Sequence, residues 1–176
     1  RVIDIIVDAV RLGGRAADPE TNALADRAIE IKTRLFGRSS AQTLLSLRNR
    51  GLLFAAQGNQ KQAGLLFQEI LKAAEEGEPR DPEIIGRAWS DLASSQYRQS
   101  QYREAKESYG KALATYEGAW GATDRRLIGT LRNLTLPLVA LSDVPGAIAH
   151  INRALEIAKP VQGEETAEDA DLLSEL

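Results

Sequence analysis

Apolar residues return along this chain every third or fourth position, in stretches of about four turns separated by Gly, Pro and short polar breaks. Leu44, Leu47, Gly51 and Phe54 form one such stripe, close to the 3.6-residue period of a helix that buries one face. Gly58-Asn59 ends it, as residues that favour turns do. A second stripe, Ala63, Phe67, Ile70 and Leu71, predicts a helix over about 60–76. The next pair opens at Asp81-Pro82, an N-cap followed by a residue that needs no amide hydrogen bond. Trp89, Leu92, Ala93 and Gln96 make its inward stripe, and Ser100 is placed as the cap of the helix carrying Tyr102, Ala105, Tyr109 and Ala112. In a last pair Leu131, Leu134, Thr135 and Leu138 face in, and Asp143 caps a helix with Pro145 in its first turn. Pro137 lies inside the first helix of that pair and is expected to bend it, because it lacks a donor and crowds the preceding turn.

These stripes are copies of one another. Ala63, Ala105 and Ala147 stand 42 residues apart, as do Phe67, Tyr109 and Ile151, and Leu71, Leu113 and Leu155. On the preceding helices the same step relates Leu47, Trp89 and Leu131, and Gly51, Ala93 and Thr135. Gly37, Pro79, Gly121 and Gly163 fall on that grid and mark the turns between units. A fixed period of this length predicts an all-α solenoid of antiparallel helix pairs, each burying its apolar face against its neighbours. The units run over about 1–37, 38–79, 80–121 and 122–163. In the first, Ile5, Ala9 and Leu12 take the inward column, Gly13-Gly14 the turn, and Asp18-Pro19-Glu20 the start of the second helix. Thr21 and Ala25 replace the Ala and the aromatic of later units, so its packing is expected to be weaker. Residues 164–176 read either as the start of a fifth unit, with Leu173 in the Trp89 column and Leu176 in the Leu92 column, or as an acidic tail of a composition that resists burial.

Charge sharpens this picture. The net charge of −3 over 176 residues hides six acids and no base in residues 161–176, which leaves 22 bases against 19 acids elsewhere. That balance is too small for a nonspecific nucleic-acid surface. Cysteine is absent, which removes disulfides, thiolate nucleophiles and thiolate metal sites and fits the cytoplasm without excluding the periplasm. Asp4 and Asp8 interrupt the apolar start of the chain, so it suits neither a signal sequence nor a membrane anchor. The chain starts at Arg1 and contains no Met, and it reads as an excised piece of a longer protein.

Trp89-x-x-Leu92-Ala93 with Ala105-x-x-x-Tyr109-x-x-Ala112, and Gly51-x-x-Phe54 with Ala63-x-x-x-Phe67, resemble the tetratricopeptide repeat (TPR). Unit four keeps Ala147 and Ala154 but has Thr135 and Ile151 in columns that usually hold smaller or aromatic residues. The period exceeds the 34 residues of the common form by about two helical turns. Leu131-Arg132-Asn133-Leu134 and Leu47-Arg48-Asn49 are similar to the first-helix segment of the 42-residue, kinesin-light-chain type, a form also attached to bacterial regulators and caspase-like (CHAT) proteases. The resemblance covers most of the chain. It implies a right-handed superhelix whose first helices line a concave groove that binds a peptide or helix of a partner protein.

Groove residues are then expected beside the inward columns of the first helices. Asn49, Asp91 and Asn133 share one column, and Arg48, Ser90 and Arg132 its neighbour. Leu45, Arg87 and Gly129 form a third, and Leu52, Ser94 and Leu136 a fourth. Asn offers a donor and an acceptor to an extended backbone, Arg a planar fork to a carboxylate, and Leu52 and Leu136 apolar pockets. The candidate partner-binding set is therefore Arg48, Asn49, Arg87, Asp91, Arg132, Asn133, Leu52 and Leu136, and the mix suits an acidic or amphipathic protein segment. The competing reading is a solvated helix face. In unit one the same columns hold Ile3, Ile6, Val7 and Val10, either covered by a preceding element or forming an apolar binding patch.

Nothing in the chain asks for catalysis, a metal or another cofactor. His150 is the sole histidine, read as a surface residue without an acid–base partner. Gly13-Gly14-Arg15 lacks the Lys-Ser/Thr of a phosphate loop. Tyr97 and Tyr102 flank one turn and are expected to pack between units. Three roles remain open: an interaction scaffold, a regulatory arm of a larger enzyme such as a caspase-like protease or a signalling NTPase, and a self-assembly element that stacks on its own copies.

Overall fold

The structure, a computed structural model, describes residues 13, 16, 18–77 and 80–159. Every regular element among them is α-helical: α1 (Pro19–Phe36), α2 (Ala41–Ala56), α3 (Gln60–Glu76), α4 (Pro82–Arg98), α5 (Tyr102–Trp120), α6 (Leu127–Ala140) and α7 (Val144–Ala158). The expected first helix of unit one, with Ile3, Ile6, Val7 and Val10, and the segment 164–176 lie outside the described residues.

Each helix packs on the next in the chain, the sequential arrangement of an α-solenoid. The first helices α2, α4 and α6 also touch one another in series. The described part therefore has a face built from first helices, with α3, α5 and α7 behind it.

Three of the four helix starts read from the sequence carry the expected cap. Asp18 accepts from Glu20 N, Asp81 from Glu83 N and Ile84 N, and Asp143 from Gly146 N, which satisfies orphan donors of the first turn. Ser100 is not a cap. It has φ +60°, in the same turn position as Gly58 (φ +82°) and Ser142 (φ +62°), and the cap falls to Gln101 without a side-chain hydrogen bond. The three-residue turn within each of these pairs needs one left-handed residue, and only Gly adopts that conformation without steric cost.

The core follows the inward columns. Phe67, Tyr109, Ala63, Ala105, Ala112, Leu131 and Leu138 are all at most 3% exposed. Gly51 is required where it stands, because a Cβ there would lie 2.5 Å from Phe67 Cε1. The first helices bury more than one stripe. Leu53, outside the expected α2 stripe, is fully buried against Ala16 and Ala25 of the preceding unit, while Phe54 is only half-buried under the Arg50 guanidinium. Trp89, expected in the core, is also half-buried, and its open ring face carries Lys111 Nζ at 4.3 Å, a cation–π contact. Tyr97 and Tyr102 pack on each other, with ring centroids 5.4 Å apart. Pro137 is buried within α6.

Candidate functional site

The predicted groove residues lie on α2, α4 and α6, and their surroundings differ sharply. Arg48 reaches from α2 to α4. Its Nε donates to Asp91 Oδ2 at 2.5 Å and its Nη2 to Asp91 Oδ1 at 3.3 Å. Both side chains are largely covered, at 22% and 15% exposure, so the pair ties two successive first helices together. Asn49, the next residue, is buried at 9% exposure and presents little surface.

The later members are more open. Arg87 is exposed and pairs with Glu83 one turn earlier on α4, a contact of small energy in solvent. Arg132 is exposed and Asn133 half-buried on α6. Leu136 is 46% exposed, and Val139, one turn further on, is 58% exposed. Leu52 is half-buried and packs against the core shared by α2, α3 and α4. The set thus contains a neutralised, covered portion at Arg48, Asn49 and Asp91, and an accessible portion at Arg87, Arg132, Asn133 and Leu136.

A concavity lies on the side of the second helices. Gln68, Lys72 and Glu75 of α3 and Glu104, Glu107 and Lys111 of α5 flank the half-buried Trp89 of α4. The column pattern assigned Trp89 to the core, so this cleft was missed. The signal present in the sequence was Lys111 on the following helix, whose ammonium lies over the indole, as a long cationic side chain can cover an aromatic face.

The charged groups here are structural in character. Arg126 holds Asp124 by hydrogen bonds of 2.8 and 2.9 Å and lies 3.8 Å over the Trp120 ring, which stacks on Tyr116 at 4.5 Å. Those hydrogen bonds lower the Asp124 carboxyl to about 2. Lys106 and the Gly146 amide lower Asp143. His150 is half-buried, rather than on the open surface, and its pKa is pushed down by burial, with Arg153 and Lys106 adding to the effect. Among the described residues no group of three or more His, Asp or Glu side chains is placed to hold a metal ion, and no helix is long and apolar enough to cross a membrane.

No protein-family model matches the chain, and no curated protein matches its sequence. Solved structures match its fold. The chain is similar to BtubC (BKLC) from P. vanneervenii, with a TM-score of 0.71 and 23% identity over 86% of this chain and 61% of that one. It is similar to a candidate kinesin light chain with nearly identical TPR-like repeats from Podosopora anserina, with a TM-score of 0.76 and 16% identity over 99% of this chain and 87% of that one. A Rap protein complexed with competence and sporulation factor matches with a TM-score of 0.78 and 15% identity, over 98% of this chain and 44% of that one. The chain therefore spans less than two thirds of the BtubC and Rap structures. The fold is a TPR-like helical repeat array.

Proposed function

We propose that this chain is a protein–protein interaction module of 42-residue, kinesin-light-chain-like TPR units. It holds a segment of a partner protein along the face of α2, α4 and α6. The observation that carries this reading is the direct contact of the three first helices, with Arg87, Arg132 and Leu136 exposed and Asn133 half-buried on that face. The Arg48–Asp91 pair, Asn49 and Leu52 form its floor. The arginines favour carboxylates of the segment, and Asn133 pairs with its backbone. One of the matching structures, the Rap protein, is itself complexed with competence and sporulation factor. A cytoplasmic role, and service as the regulatory arm of a larger enzyme, are both compatible with this reading.

The test begins with a pull-down on the chain and mapping of the captured peptide. That peptide is then titrated against wild type and against Arg87→Glu with Asn133→Asp. Loss of binding with unchanged circular dichroism supports the site. Unchanged affinity moves it, and the Trp89 cleft is the next surface to test.

A further inference from the structure

Helices α3 and α5 flank α4 and leave between them a cleft of about 400 Å³ with Trp89 in its wall, a size ordinary for a ligand site. Trp89 is half-buried, while Leu47 and Leu131, in the same column, are 5% and 0% exposed. Of these three units, this one alone presents an aromatic face there. Three carboxylates, Glu75, Glu104 and Glu107, line the cleft against two ammonium groups, Lys72 and Lys111. Among the described residues, none of the three carboxylates takes part in an ion pair. Lys111 lies instead over the indole, at 4.3 Å.

One repeat later the same columns are bridged. Glu117 and Arg153 stand 42 residues after Glu75 and Lys111, and they meet at 2.5 Å between α5 and α7. The Trp89 cleft holds the acid and the base of that bridge but keeps them apart, because the ring attracts the ammonium. Lys111 thereby marks what the cleft accepts, a cation on the indole beside carboxylates. An ammonium is a point charge and serves one of these partners at a time. A guanidinium is planar, so it stacks on the ring and forks onto a carboxylate together. One further positive charge also balances the three acids against the two bases of the lining.

We propose that this cleft is a second binding site, which takes an arginine side chain from a basic segment of a partner protein. The guanidinium stacks on Trp89 in place of Lys111 and forks onto Glu104 and Glu107, which lie one turn apart on α5. Lys111 moves across to Glu75 and makes the bridge that Arg153 and Glu117 make one repeat later. The cleft shares no side chain with Arg87, Arg132 and Asn133, so this site and the face of α2, α4 and α6 can each fail alone.

The test is a titration of the whole chain with a blocked Gly-Arg-Gly peptide, read from the indole N–H resonances of Trp89 and Trp120. The Trp89 resonance should shift saturably while that of Trp120 stays in place. The citrulline counterpart, alike in shape but uncharged, should bind at least about tenfold more weakly. Glu104→Gln with Glu107→Gln should weaken the arginine peptide to the same degree. Lys111→Ala should tighten binding about threefold by clearing the ring. Lys72→Ala removes an equal charge without clearing the ring and should do less. Trp89→Leu places there the residue found at 47 and 131, and should abolish binding with unchanged circular dichroism. The proposal is overturned by an unmoved Trp89 resonance, by equal affinity for the citrulline peptide, or by equal effects of Lys111→Ala and Lys72→Ala. Those outcomes need only wild type and exposed lysines, so they decide the matter even if Trp89→Leu fails to fold.

Discussion

Arg48 on α2 and Asp91 on α4 form a two-pronged ion pair across 43 residues of chain, with N–O distances of 2.5 and 3.3 Å. Because both groups are mostly withdrawn from water, the bond resists screening better than an exposed pair. In a double-mutant cycle with alanine at each position, urea denaturation should report a coupling energy of about 1–2 kcal/mol. The Arg87–Glu83 pair, about half exposed on both sides, should give about 0.5 kcal/mol or less in the same cycle. Equal couplings would mean that the Arg48 pair contributes no more than a surface contact.

Two glycines within helices predict opposite responses. Gly51→Ala pushes a methyl against the edge of the buried Phe67 ring, and should destabilise by about 1–3 kcal/mol. Gly110, within α5, has nothing within 4 Å of its missing Cβ. Gly110→Ala should stabilise by about 0.5–1 kcal/mol, through helix propensity. Thermal midpoints of the two variants check both signs together.

Removing a ring from the inner column should be costly wherever it is made. Phe67→Ala and Tyr109→Ala, at 1% and 3% exposure, should each cost about 3–5 kcal/mol. His150→Ala should cost far less, since that residue is only half-buried. Denaturant midpoints in the reverse order would break the assignment of columns.

Acid should weaken the fold in two stages. Burial of His150, the sole histidine, lowers its pKa below the usual 6.5, so the unfolded chain binds its proton first. Its contribution is fully present above 6.5 and is lost as pH falls through that value toward the lower folded one. His150→Gln should flatten this limb of a stability–pH curve between pH 7 and 5. Asp124, held at about 2 against an ordinary 3.8, acts in a lower window, between those two values, and Arg126→Ala should reduce the dependence there. A wild-type curve flat from pH 7 to 5 would contradict the role of His150.

The environment of the candidate partner-binding residues was only partly legible. The repeat grid brought Arg48 and Asp91 into adjacent columns of successive first helices, which placed both on the same face. It could not show that they bond to each other, since that depends on side-chain reach across the gap between units. Asn49 shares a column with Asp91 and Asn133, yet it is buried while they are not. A column specifies an angle around the helix. Exposure depends also on the neighbour that happens to stand opposite. The exposed aromatic face of Trp89 was hidden for the same reason, because its column is buried in Leu47 and Leu131 and a larger indole extends beyond the shared core.

By itself the sequence determined the local and periodic features: helices broken by Gly and Pro, Asp caps at residues 18, 81 and 143, and a core of small and aromatic residues at a 42-residue step. These follow from backbone chemistry and from the angle each residue takes around its own axis, both readable from nearest neighbours in the chain. The tertiary structure decided how wide each buried arc is, and which charges meet. Helix α2 touches α1, α3 and α4, so it buries Leu53 outside its main stripe and leaves Phe54 at the edge. The turn at Ser100 likewise took its left-handed conformation from the geometry of the helix pair, against the preference of serine for a cap. Contacts between units depend on the distance and tilt between helices, and those quantities exist only once the pairs are stacked.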